Sequence, residues 1–148
     1  MNLSKHFTLE ELTVSEAAAR RGIDNIPKDA ETLKNLEKLA VKLEEIRTLL
    51  GDNVMIITSG YRCPDLNFIL KAAVNSEHLT GLAADFICPA FGTPYDICKK
   101  IEGSSILFNQ LIHEYGKWCH IGFNGTRKEV LTICAPKLGY KRGVFKCG

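Results

Sequence analysis

The chain has 148 residues, enough for one domain with a sizeable core and too few for two. Apolar residues at 45% against charged residues at 24% exclude a disordered or fibrous chain. A net charge of +2 argues against coating nucleic acid as its main role, and no run of about 18 apolar residues offers a membrane span.

The opening segment, Met1 to Phe7, has no apolar h-region and does not read as a secretory signal, so a product made in the cytoplasm is expected. Thr8, three residues before Glu11, makes a capping-box start for a short helix. A second capping-box start, Thr13-Val14-Ser15-Glu16, leads into Ala17–Arg21 and stops at Gly22. Residues 1–28 are therefore expected to be a helical N-terminal segment. From about Asp29 to Leu50, Leu33, Leu36, Leu39, Ala40, Leu43, Ile46 and Leu50 recur at three- and four-residue steps. That spacing predicts one long helix with an apolar stripe, ended by Gly51.

Beyond Gly51 the pattern turns to strands. Val54–Thr58 and Leu82–Ile87 are short β-rich runs. Thr93–Pro94 opens a helix to about Ile101. Leu107–Glu114 and Lys117–Phe123 flank a tight turn and read as a hairpin, while Glu129–Ile133 fits either a strand or a short helix. Helices first and strands later predict an α+β fold: a small, mostly antiparallel sheet with helices on one side. With no repeat or linker, residues 1–148 form a single domain, with 137–148 expected as a solvated tail. The six cysteines include no C-x-x-C pair, which argues against a zinc knuckle, and reduced thiols are expected.

Two residues contradict their surroundings. Asp85 lies inside an apolar strand run, where an unpaired carboxylate is costly to bury. Small Ala83 shares its face and leaves room beside it. His120 lies in a similar setting, with Trp118 and Gly122 on its face; Gly122 has no side chain to fill the space beside the imidazole. Trp118 reads as pocket wall or core. His78 precedes Asp85 by seven residues. Two imidazoles and one carboxylate, with a fourth position left to water, are the donor set of a catalytic zinc site.

The segment Ser76–Asp85 has the pattern S-x-H-x-x-G-x-A-x-D. It resembles the metal-binding signature of the zinc D-Ala-D-Ala carboxypeptidase family, which cleaves peptidoglycan stem peptides. That family includes D-Ala-D-Ala dipeptidases and phage L-alanyl-D-glutamate endopeptidases. Ser59-Gly60-Tyr61-Arg62, followed by Asn67, is similar to an upstream family segment, and Trp118-Cys119-His120 to the segment carrying the last ligand. The N-terminal Phe7–Leu12 is similar to the opening of short, phage-borne members. The likeness runs from about Phe7 to Val130. It implies Zn2+ held by His78, Asp85 and His120, Arg62 holding a substrate carboxylate or polarising the scissile carbonyl, and Ser76 near the substrate. Peptidoglycan stem peptides are the implied partner, met at the cell wall after release or from a virion, by a monomer. The alternative is a non-catalytic zinc-binding recognition domain, the role this fold has in hedgehog signalling domains.

The general base depends on hairpin register. With a three-residue loop Tyr115–Lys117, Glu114 opposes Trp118 and shares the face of His120. With a two-residue loop Gly116–Lys117, His113 opposes His120 instead. The resemblance places a Glu in this role and favours Glu114.

Overall fold

The computed structural model describes residues 1–148. Thr8 and Ser15 cap two one-turn helices, α1 (Leu9–Thr13) and α2 (Glu16–Arg20). The Thr8 hydroxyl accepts the Glu11 N–H while the Glu11 carboxylate accepts the Thr8 N–H, the reciprocal pair that satisfies two otherwise free amides. Asp29 caps the long helix α3 (Ala30–Leu49), whose Leu36, Leu39, Ala40, Leu43 and Ile46 are fully buried. Truncating such a leucine to alanine costs about 2–5 kcal/mol, so α3 is the structural spine.

The chain then enters strand β1 (Ile56–Ser59) and helix α4 (Pro64–Ile69), followed by a 3₁₀ turn at Glu77–Thr80. Strand β2 (Ala83–Ile87) leads to helix α5 (Pro94–Glu102), capped by Thr93. Strands β3 (Gln110–Glu114) and β4 (Trp118–Gly122) form the hairpin, and β5 (Glu129–Ile133) and the two-residue β6 (Lys141–Arg142) complete the sheet. The order is β1-β2-β4-β3-β5-β6, antiparallel except for β3 beside β5. The α+β class and the mostly antiparallel sheet match the sequence reading; Glu129–Ile133 is a strand. Helix α4 was not anticipated, because Pro64–Ile69 is too short to show a helical period. No helix is long and apolar enough to cross a membrane.

The sheet has two unlike faces. Ala84, Phe86, Leu111, Cys119 and Ile121 join α3 and α5 in one core of 22 buried residues. The alternate positions, including Asp85, Ile112, Glu114, Trp118 and His120, occupy the other face. One expectation is corrected at the C-terminus. Cys134 and Cys147 form a disulfide, and only Cys63, Cys88, Cys98 and Cys119 are free. Most of residues 137–148 are exposed, but the segment is anchored: Val144 joins the core, and the disulfide closes the segment onto the end of β5. Its charge made the segment read as polar, while the covalent link and β6 depend on neighbours far along the chain.

Candidate metal centre

His78, Asp85 and His120 come from three different elements, and their ligand atoms lie within 4.8 Å of one another. The backbone places them. Antiparallel pairing sets Asp85 opposite His120, and the register of β1 shifts between Ile57 and Ser59 so that Ser59 also pairs with Asp85. The 3₁₀ turn before β2 presents His78, with Gly81 at φ 81° ending the turn. A Cβ at Gly81 would sit 3.1 Å from the Leu36 side chain, so a side chain there is both strained and crowded.

All three residues are buried. The His78 Nδ1–H donates to the Gly60 carbonyl at 2.6 Å, which leaves Nε2 unprotonated and 3.3 Å from Asp85 Oδ1. His120 Nδ1 lies 2.9 Å from the same oxygen. A tetrahedron with metal–ligand bonds near 2.0–2.1 Å has edges of about 3.3 Å, so these separations fit a zinc ion among the three side chains. Nitrogen, nitrogen and carboxylate oxygen are also the donors zinc accepts.

Charge organises the same cluster. Burial pushes the Asp85 carboxyl up, but the imidazoles of His78 and His120 that flank it outweigh this and hold it well below the usual carboxylate range. Burial lowers the pKa of His78, so its imidazole stays neutral, the form that binds a metal. For His120, burial is outweighed by the Asp85 hydrogen bond and charge, and the pKa rises.

Arg62 is only 16% exposed. Its Nη2 donates to Asp85 Oδ2 at 3.4 Å and its Nε to Ser59 Oγ at 3.2 Å. Buried Asn25 holds this loop, donating to the carbonyls of Thr13 and Tyr61 and accepting from the Cys63 N–H. Gly60 allows the loop to approach α1: a Cβ there would lie 2.3 Å from the Leu12 carbonyl oxygen. Ser76 caps the 3₁₀ turn by accepting the His78 N–H, and it lines the cleft.

The hairpin uses the three-residue loop: Glu114 pairs with Trp118, and Ile112 with His120. Tyr115 and Gly116 both take positive φ, 59° and 68°, and the Lys117 N–H donates to the Glu114 carbonyl. Glu114 therefore shares the face of His120 and lines the cleft. Burial, then the charge of Asp85, push its carboxyl up to about 7 against the opposing pull of His120 and Arg62. The Trp118 indole N–H is buried with no well-formed hydrogen bond, yet it is near enough to favour the Glu114 carboxylate slightly. His113 faces the helices instead; it is buried, and its Nδ1–H donates to the Phe145 carbonyl at 2.8 Å.

The space beside Gly122 is not open, as the sequence suggested. It holds the Glu77 carboxylate, which would lie 2.3 Å from a Cβ at that position. Glu77 accepts from the Asn109 amide and the Asn124 N–H, tying the 3₁₀ turn to the end of β4. Sequence reading also missed Tyr140 and Arg127, which line the cleft of about 920 Å³ around the cluster. Both lie far along the chain, in polar stretches with no periodic signal.

A protein-family model described as Peptidase M15 matches residues 5–122, which include His78, Asp85, His120, Arg62 and Glu114. The chain belongs to the Peptidase M15 family. A comparison with curated proteins finds no match. Members of Peptidase M15 are zinc metallopeptidases, so the chain is a metallopeptidase homologue whose His-Asp-His cluster can hold a metal. The match ends on the last residue of β4, and β5, β6 and the disulfide lie outside it.

Proposed function

We propose that this protein is a zinc-dependent peptidase that hydrolyses an amide bond of the peptidoglycan stem peptide, either the terminal D-Ala-D-Ala bond or the internal L-Ala-D-Glu bond. The observation that carries the reading is the shared sheet face of Glu114 and His120, with Asp85 paired to His120. That arrangement brings a proton acceptor to the candidate metal cluster, which a recognition domain does not need. Membership of Peptidase M15 supports the peptidase class. The wall substrate and its site of action, outside the producing cytoplasm, rest on the likeness of the Ser76–Asp85 signature.

In this mechanism His78, Asp85 and His120 would hold the ion. Zinc there would supply a Lewis acid that acidifies water and polarises a carbonyl. Glu114 takes the proton of the attacking water and passes it to the leaving amine nitrogen. In the metal-free site burial raises its pKa, which makes it a stronger proton acceptor than an ordinary exposed carboxylate. Arg62, held by Ser59 and Asp85, keeps a guanidinium at the cleft to hold a substrate carboxylate or carbonyl oxygen. Ser76 places its hydroxyl at the cleft wall, where its proton can reach a bound peptide.

The test is to incubate the purified protein with muropeptides of defined sequence, with and without zinc, and to identify fragments by mass. Zinc-dependent cleavage of one stem-peptide bond is the expected outcome. His78→Ala should lose both cleavage and stoichiometric zinc. No cleavage by wild type with zinc bound at one equivalent refutes the peptidase reading and favours the recognition domain.

A further inference from the structure

The family match stops at Gly122, yet the cleft does not. Arg127, Leu131 and Tyr140, all beyond the match, form part of its lining. Tyr140 belongs to a segment, Pro136–Cys147, fastened at many points. The disulfide joins Cys147 to Cys134 at the end of β5. Leu131 and Thr132 of β5 pair with Arg142 and Lys141 of β6. The Thr132 hydroxyl donates to the Gly143 carbonyl and accepts the Phe145 N–H. Val144 is buried in the core, and the Phe145 carbonyl accepts the His113 Nδ1–H.

So many anchors fix the segment, but they leave Tyr140 58% exposed at the wall of the cleft. A large amphipathic side chain that is held in place and left uncovered is suited to contact a ligand at little further cost in entropy. We propose that Tyr140, presented at the cleft by the anchored Pro136–Cys147 segment, is a substrate-selecting contact, its hydroxyl donating a hydrogen bond to a backbone carbonyl oxygen of the bound peptide. A tyrosine hydroxyl keeps its proton near neutral pH and remains a donor, and partial burial, then the charges of Glu114 and Tyr115, raise the phenol pKa further. The nearby Glu114 carboxylate disfavours a second negative group there, which makes a neutral carbonyl the better acceptor than a carboxylate. The ligand's identity as a stem peptide rests on the proposed function; the wall's role in binding does not depend on hydrolysis.

The chain's single tryptophan, Trp118, lies in the cleft edge-on to Tyr115, so its fluorescence can report occupancy. The zinc-loaded Glu114→Gln protein, with and without Tyr140→Phe, is titrated with a stem pentapeptide, and kcat and KM are measured for Tyr140→Phe alone. Losing one hydrogen bond to the ligand should raise Kd and KM about tenfold with kcat within about twofold. Zinc content and melting temperature should stay unchanged, since Tyr140 is exposed. The Cys134→Ser/Cys147→Ser variant should raise KM in the same direction by loosening the wall. Unchanged Kd and KM in Tyr140→Phe overturn the inference while leaving a cutting wild type as a peptidase. A wild type that cuts nothing, beside Glu114→Gln protein that binds the peptide through Tyr140, overturns the peptidase reading alone. Neither binding nor cutting overturns both.

Discussion

Glu114→Gln should separate catalysis from folding, because the burial that prepares the carboxyl for proton transfer also opposes its charge. In the metal-free protein its pKa lies at about 7 rather than 4.5. The sign follows from linkage: the unfolded chain releases this proton near 4.5, whereas the folded chain keeps it until about 7. Stability therefore falls as pH rises through that interval and stays lower above it. The difference corresponds to about 3 kcal/mol as an upper bound, since residual solvent around the group reduces it. Glutamine has nearly the same shape and never ionises. Zinc-stripped Glu114→Gln should resist urea better than wild type at pH 8, by up to about 3 kcal/mol, and equal it near pH 4. Hydrolysis by the zinc-loaded variant should drop 10²–10⁴-fold with zinc still bound. His113→Leu is the control. It removes the hydrogen bond to the Phe145 carbonyl, so it should cost about 1 kcal/mol of stability while hydrolysis by the folded protein persists. Equal urea midpoints for wild type and Glu114→Gln at pH 8 would refute the burial argument. Greater loss of hydrolysis in His113→Leu than in Glu114→Gln would refute the assignment of the base.

Gly122→Ala places a methyl where the Glu77 carboxylate sits, displacing its bonds to Asn109 and Asn124. Loss of a few kcal/mol in chemical denaturation, together with weaker zinc binding in a chelator competition, is expected; an unchanged midpoint would show that Glu77 moves aside freely. Replacing Cys134 and Cys147 by serine removes a cross-link spanning 13 residues, so thermal unfolding should show a loss of about 3 kcal/mol. A variant as stable as wild type would mean that β6 and Val144 hold the segment unaided.

The sequence alone determined whatever depends on local pattern. The α3 stripe, the Thr8 and Thr93 caps, and the alternation in β2, β3 and β4 follow from side chains within a few residues of each other. The metal candidates were legible for a related reason: a carboxylate and an imidazole in apolar strands are expensive unless they are partnered, so they stand out without a structure. Tertiary structure decided what depends on register and long-range closure. Glu114 and His113 are adjacent, and only the three-residue loop turned one toward the cleft and the other toward Phe145. The space beside Gly122 looked empty until Glu77, 45 residues earlier, was folded into it. The C-terminal segment read as a polar tail because its anchors are a disulfide, a strand pairing and one buried valine. Each of these is formed with partners that no periodicity in the segment itself encodes.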